Sequence, residues 1–428
     1  MQIHVVQSGQ SLYGIAKIYG TTVADIAEAN QIDPTKTLVI GQALVIPITG
    51  RYYFVQPGDS LYKIGRRFGV PYLTLAQINA FNPEATLPVG LRLYIPPMPK
   101  TAIESNAYAE AYNGRFADRV IASVDEHALQ LTYVAPFSFE AQADGSLKTI
   151  DVSPIRTAAA SGGSALMMAV TNLENGAFSD SLGARILNNS DVQDRLLSNI
   201  LLEAQRYGFR DIHFDFEYLR PEDREPYNAF LRKASKRLHG AGLLMSTALA
   251  PKTSAAQSGR WYTAHDYRVH GEVADFVVIM TYEWGYSAGP PMAVSPIGPV
   301  RQVLEYAKTE IPATKIMMGQ NLYGYDWTLP FIRGGAYARA ISPQTAIDLA
   351  RQYHARIEYD SNAQAPFFYY WDASSKQHVV WFEDARSINA KFDLLKELDL
   401  RGISYWKLGL DFPQNWLLLG DRFRIGKK

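Results

Sequence analysis

The chain is 428 residues long, enough for two or three domains, and 47% of it is hydrophobic, as in ordinary globular proteins. Its 42 Lys and Arg balance 42 Asp and Glu, and this zero formal charge argues against nucleic acid or an anionic membrane surface as main partner. With no cysteine, disulfides, thiolate metal sites and a cysteine nucleophile are excluded.

The opening residues, M-Q-I-H-V-V-Q, carry neither the basic nor the apolar segment of a secretory signal. No run approaches the roughly 20 apolar residues of a membrane span. Neither a signal peptide nor a span is expected.

Two stretches then align without gaps at an offset of 49 residues. Val6-Gln7 and Gly9 match Val55-Gln56 and Gly58, and Ser11-Leu12-Tyr13 matches Ser60-Leu61-Tyr62. Ile15, Gly20, Asn30, Gly41 and Ile46-Pro47 recur as Ile64, Gly69, Asn79, Gly90 and Ile95-Pro96. A repeat of this period marks duplicated supersecondary units. In each, a short β-run (4–7; 53–56) is followed by a helix capped by Ser11 or Ser60. A second helix (23–29; 73–78) ends near the Asn, and a β-run (43–46; 92–95) is closed by Pro. The unit is βααβ.

These units resemble LysM domains, whose V-x-x-G-D-S-L, later N, and final G-x-x-L-x-I-P they match closely, Gln10 standing for the usual Asp. The resemblance assigns residues 2–48 and 51–97 to the two domains. It implies binding of N-acetylglucosamine-containing glycans such as peptidoglycan or chitin. Pro96-Pro97-Met98-Pro99 reads as a short stiff linker.

From about residue 101 to 428, apolar runs alternate with helical patterns. Strands are predicted at 105–108, 131–136, 165–171, 211–217, 243–248, 275–281, 315–322 and 402–406. Helices are predicted at 191–207, 223–238 and 299–309. This is the pattern of an α/β fold, a (β/α)8 TIM barrel. Runs at 356–359, 366–370 and 378–382 predict a small α+β insertion between strands seven and eight, at about 330–385. A helix over 385–397 would lead into the last strand.

The fourth strand reads R-D-I-H-F-D-F-E-Y. Strict alternation sends Ile212, Phe214 and Phe216 beneath the helices and Asp211, His213, Asp215 and Glu217 into the interior. Glu217 then lies at the C-terminal rim, where the active sites of such barrels form. Two readings fit such a row of buried carboxyls. One is a structural polar network. The other is acid–base chemistry, in which burial separates the carboxyl pKa values.

D-I-H-F-D-F-E resembles the strand-four motif D-x-x-D-x-D-x-E of family 18 glycoside hydrolases, with His213 and Arg210 at two of its Asp positions. Met280-Thr281-Tyr282-Glu283 resembles the family's M-x-Y-D with Glu for Asp, and Gly402–Trp406 ends at the position of its strand-eight Trp. With its tandem LysM units, the whole chain resembles the spore cortex-lytic enzymes of endospore-forming bacteria. That resemblance implies a retaining N-acetylglucosaminidase using substrate-assisted catalysis, one of the exceptions to two-carboxylate hydrolysis. Glu217 would be the acid, Asp215 the partner of the substrate's acetamido group, Tyr282 its hydrogen-bond donor, and Trp406 the floor beneath the sugar.

Met280, Glu283, Trp284, Asn172, Gln320, Tyr323 and His213 are further substrate-side candidates. Tyr325, Trp327 and Trp371 are candidate outer stacking surfaces. His213 is expected either to tune Asp215 through a hydrogen bond or to be a satisfied core histidine. Met167-Met168 and Met317-Met318 read as core filler, and Ser161-Gly162-Gly163-Ser164 as a turn. No metal-binding spacing occurs, and no cofactor is expected. The implied partner is peptidoglycan or cortex glycan, held by the LysM domains and the barrel cleft of a monomer without nucleic acid. The implied place is the spore coat or cortex, associated with the cell wall. Two alternatives stay open: a chitinase-like hydrolase, or a non-catalytic glycan-binding coat protein.

Overall fold

The computed structural model describes residues 1–428. In the first N-terminal unit, strands Gln2–Val5 and Ala43–Ile46 pair antiparallel around helices Leu12–Tyr19 and Val23–Ala29. The second unit repeats this with strands Arg51–Phe54 and Arg92–Ile95 and helices Leu61–Phe68 and Tyr72–Ile78. The first strands begin two residues ahead of the predicted runs.

The repeated residues have matching tasks. The Ser11 hydroxyl accepts from the Gly14 amide and that of Ser60 from the Lys63 amide, both at 3.2 Å. Each satisfies a donor that the first helical turn leaves free. Asn30 donates to the Ile26 and Val45 carbonyls and accepts from the Val45 amide, each at 2.8 Å. Asn79 does the same with Leu75 and Tyr94. The Asn thus ties the end of the second helix to the second strand.

Eight parallel strands close the barrel: Thr101–Glu110, Tyr133–Phe137, Ala165–Thr171, Asp211–Asp215, Leu244–Leu249, Phe276–Ile279, Ile316–Asn321 and Gly402–Trp406. The eighth pairs with the first, joining Gly402 to Glu104 and Tyr405 to Ala107. The fourth is held by the third and fifth, with His213 opposite Ala169 and Ser246. Alternation sorts the side chains as expected: Ile212, Phe214 and Phe216 join the core beneath the helices. Phe216 stacks on Tyr227 and Phe230 of helix Arg224–Gly240 at 5.9 and 6.1 Å, which anchors the end of the strand. Met167 and Met317 fill the barrel interior, and Met168 and Met318 the outer core.

The insertion has five strands where three runs were predicted. It is a five-stranded antiparallel sheet of Gly324–Thr328, Arg339–Ile341, Glu358–Asp360, Ala365–Trp371 and Gln377–Trp381, with helix Pro343–Gln352 packed on it. It begins at Gly324, ahead of residue 330. Its first strand follows the seventh barrel strand so closely that the two apolar runs merge in the sequence. No helix is long and apolar enough to cross a membrane.

Candidate active site

The ladder of the fourth strand stops at Asp215, so Phe216 and Glu217 leave the barrel without strand partners. Side chains hold them instead. Asn172, at the end of the third strand, accepts from the Glu217 amide and donates to the Glu217 carbonyl, both at 2.9 Å. From the other side, His265 Nε2 meets the Phe216 carbonyl at 2.9 Å, while its Nδ1 accepts from the Ala250 amide at 2.8 Å. This requires the neutral Nε2–H tautomer, and burial pushes His265 down to about 4. Tyr218, with φ of 54°, then turns the chain away.

The Glu217 side chain enters a cleft of about 1010 Å³ at the C-terminal mouth of the barrel. Trp261 Nε1 donates to its Oε2 at 2.6 Å, and the indole lies parallel to Tyr218, 6.0 Å away at 10°. Burial and the neighbouring Asp215 charge hold the Glu217 carboxyl well above the usual range, opposed by the Trp261 bond. Burial alone pushes Asp215 up to about 7. A protonated Glu217 is therefore available at neutral pH as a proton donor. Asp215 can supply an acceptor or a negative charge.

Tyr282 closes the cleft from the end of the sixth strand, and burial keeps its hydroxyl protonated. Its ring lies over Gly319 of the seventh strand. A Cβ there would come within 2.9 Å of Tyr282 Cε1 and 2.5 Å of the Ile279 carbonyl, so only glycine allows this approach. Trp406 forms another wall, edge-on to Phe137 at 4.8 Å and Tyr108 at 5.4 Å. Glu283 has a φ of 67° and accepts hydrogen bonds from the Tyr323 and Tyr325 hydroxyls. Burial raises its pKa and the two hydroxyls oppose the shift.

Asp215, Glu217, Met280, Tyr282, Glu283, Tyr323 and Trp406 thus line one cleft, together with Tyr325. Four other candidates do not. Asn172 is fully buried and its amide is spent on the Glu217 backbone. Gln320 is fully buried on the outward register of Ile316 and Met318 and bonds Asn321. Trp284 lines an adjoining groove of about 490 Å³, which shares Trp261, Tyr262, Tyr282 and Glu283 with the cleft. His213 lies below the floor, fully buried.

The expected hydrogen bond between His213 and Asp215 is absent, because both ring nitrogens are taken. Nε2 meets the Tyr108 hydroxyl at 2.9 Å and Nδ1 meets Ser246 Oγ at 2.8 Å. Ser246 in turn donates to Asp211 Oδ2. The consistent direction is Tyr108 to His213 to Ser246 to Asp211, with a neutral ring protonated on Nδ1. Burial pushes His213 down to about 3 and Asp211 up to about 8. Both His213 nitrogens are satisfied in this polar chain under the cleft, while Asp211 Oδ1 at its end has no partner.

Among the outer aromatics, Trp327 is buried and donates to the Gly289 carbonyl at 2.9 Å, so it offers no stacking face. Trp371 is exposed on the small sheet away from the cleft. Trp261 and His265 escaped sequence reasoning. Their one signal is the adjacent pair Trp261-Tyr262 in a polar loop. No three His, Asp or Glu side chains come together as a metal cage.

The model of "Glycosyl hydrolases family 18" matches residues 114–411, and that of the LysM domain matches residues 4–47 and 53–96. A cortical fragment-lytic enzyme of Bacillus subtilis is 64% identical over 428 residues, covering 100% of this chain and 99% of that protein. The crystal structure of the spore cortex-lytic enzyme SleL of Bacillus megaterium superposes with a TM-score of 0.92 at 55% identity, over 100% of this chain and 99% of that one. A chitinase from Chromobacterium violaceum matches with a TM-score of 0.68 at 25% identity, over 74% of this chain and 98% of that one.

Proposed function

Since the chain belongs to the glycosyl hydrolases of family 18 and carries two LysM domains ahead of its barrel, we propose that it hydrolyses spore cortex peptidoglycan fragments as a retaining N-acetylglucosaminidase. Glu217 protonates the glycosidic oxygen while the substrate's own 2-acetamido oxygen attacks the anomeric carbon. Asp215 orients the acetamido N–H and stabilises the positive charge of the oxazolinium intermediate. Tyr282 donates to the acetamido oxygen, and Trp406 stacks under the ring. Glu217, now ionised, takes a proton from the water that opens the intermediate.

The observation that carries this reading is the Glu217 carboxyl in the cleft, kept protonated by burial and held by Trp261, two residues beyond a second buried carboxyl. The LysM units hold the enzyme to the glycan, and its place of action is the spore cortex. A relative that matches over the full chain is a cortical fragment-lytic enzyme, which supports cortex fragments as the substrate.

The test compares wild type with Glu217→Gln on muramic-δ-lactam-containing cortex fragments and on chitin oligomers, with reducing ends read by mass spectrometry. Fragments ending in reducing N-acetylglucosamine, reduced about 10²–10⁴-fold in the variant, are expected. Cleavage of neither substrate by wild type would overturn the enzyme reading and leave a glycan-binding protein. A second reading, a chitinase-like hydrolase, is favoured by the similarity to a chitinase barrel and would appear as a preference for chitin oligomers.

A further inference from the structure

The two N-terminal units share a sequence pattern but not surroundings. In the first, Val39 is buried within the hydrophobic core of the insertion, beside Ile341, Phe368, Tyr370, Val380 and Phe382. The Ile357 amide donates to the Ile40 carbonyl at 2.9 Å, next to the edge strand Glu358–Asp360. Arg351 donates to the Thr37 carbonyl at 2.9 Å and Arg386 to the Gly41 carbonyl at 3.1 Å. Gln414 Nε2 donates to Asn30 Oδ1 and to the Ala43 carbonyl, both at 2.8 Å. Ala43 and Val45 pack into the main core of the barrel.

The second unit has none of this apparatus. Its counterparts of Val39, Ile40, Ala43 and Val45 are Pro88, Val89, Arg92 and Tyr94. Val89 is 64% exposed and Arg92 faces solvent. The paired glycines show the difference most sharply. Gly41 and Gly90 have φ of 84° and 82°, yet a Cβ on Gly41 would lie 1.9 Å from the Ile357 carbonyl oxygen, while one on Gly90 would meet nothing within 4 Å. Backbone packed this closely admits no side chain.

The insertion is also a wall of the cleft. Tyr325, Ala340 and Ile341 line it, and Tyr325 holds Glu283 at 3.0 Å. Ile341 shares its core with Val39. We propose that the first LysM unit is a fixed part of the catalytic body: through Val39 and Gly41 it completes the core of the insertion and braces the wall that positions Tyr325 and Glu283. Val39 and Gly41 are positioning residues of the cleft, a role beyond glycan anchoring that rests on this cleft being the catalytic one.

Gly41→Ala and Gly90→Ala form a matched pair, because the backbone strain of alanine at positive φ is the same and only the first meets a neighbour. Both are assayed as full-length chains by thermal unfolding and by kcat and KM on a soluble cortex tetrasaccharide. Gly41→Ala is expected to melt lower than Gly90→Ala and to lose about tenfold or more in kcat/KM. Gln414→Ala, which deletes two bonds to the first unit and one to the Ala385 amide without a clash, is expected to change both quantities in the same direction by less. In a Tyr325→Phe background the kinetic effect of Gly41→Ala should shrink, since both act on Glu283. Equal melting and kinetics of the two glycine variants would overturn the brace, as would an undiminished effect in the Tyr325→Phe background. Melting reads the brace whether or not the tetrasaccharide is cleaved, so an inactive wild type counts against the function and not against this contact.

Discussion

Trp261 and Glu217 are 44 residues apart in sequence, and a single 2.6 Å hydrogen bond joins the indole N–H to the carboxyl of the proposed acid. The bond favours the ionised form, against burial and the Asp215 charge, which favour the protonated one. It also occupies Oε2, leaving the acid's proton for the other oxygen.

Trp261→Phe removes the donor and keeps the ring. With nothing left to favour the carboxylate, the Glu217 pKa rises. The acid then stays protonated to higher pH, and the alkaline limb of the profile moves up by about one pH unit. The pH dependence of kcat/KM on soluble cortex fragments checks this, and a limb that stays put or moves down refutes it.

Asn172→Ala deletes both bonds to the backbone of Glu217 and leaves that amide and carbonyl unsatisfied. A loss of about 1–3 kcal/mol in stability is expected. Because the acid and not the sugar is displaced, kcat should fall by roughly tenfold or more with KM little changed. A rise in KM at constant kcat would mean that Asn172 touches substrate after all.

Gly319→Ala places a methyl group against Tyr282 and the Ile279 carbonyl. The ring must move, so the variant should lose activity comparably to Tyr282→Phe, while also unfolding at lower temperature. Steady-state kinetics on the pair decides it. Wild-type turnover in Gly319→Ala would show that the ring's position is not critical.

Asp211→Asn tests the buried chain below the cleft. Burial holds Asp211 at about 8, above its unfolded value, so the folded state binds the extra proton. The stability this group leaves to the fold is complete below about pH 4, the ordinary range of an aspartate, and is lost as pH rises towards 8. Asn accepts from Ser246 without titrating. The melting temperature of the variant relative to wild type should therefore climb between pH 5 and pH 8, and a flat difference would contradict the buried, protonated state.

The polar row of the fourth strand was legible because a strand repeats every two residues, so alternation alone assigns each side chain to a face. The repeat was legible for a similar reason, since caps, glycine turns and the Asn tie act within one short unit. His213 shows the limit of such reading. Its face followed from alternation, but its partners, Tyr108 and Ser246, come from the first and fifth strands. Asn172 and Gln320, substrate-side candidates by sequence, stand at the ends of the third and seventh strands and are fully buried.

The sequence by itself determined the order of elements, the closed barrel behind two small glycan-module-like units, and the face on which the carboxyls stand. These follow from local periodicity and turn chemistry, which act over a few residues. Only the tertiary structure decided what holds Glu217, which aromatic residues share its cleft, and that the first unit is built into the barrel while the second is not. Those outcomes depend on side chains from distant segments meeting within about 3 Å, a distance set by packing and closure, which no local pattern encodes.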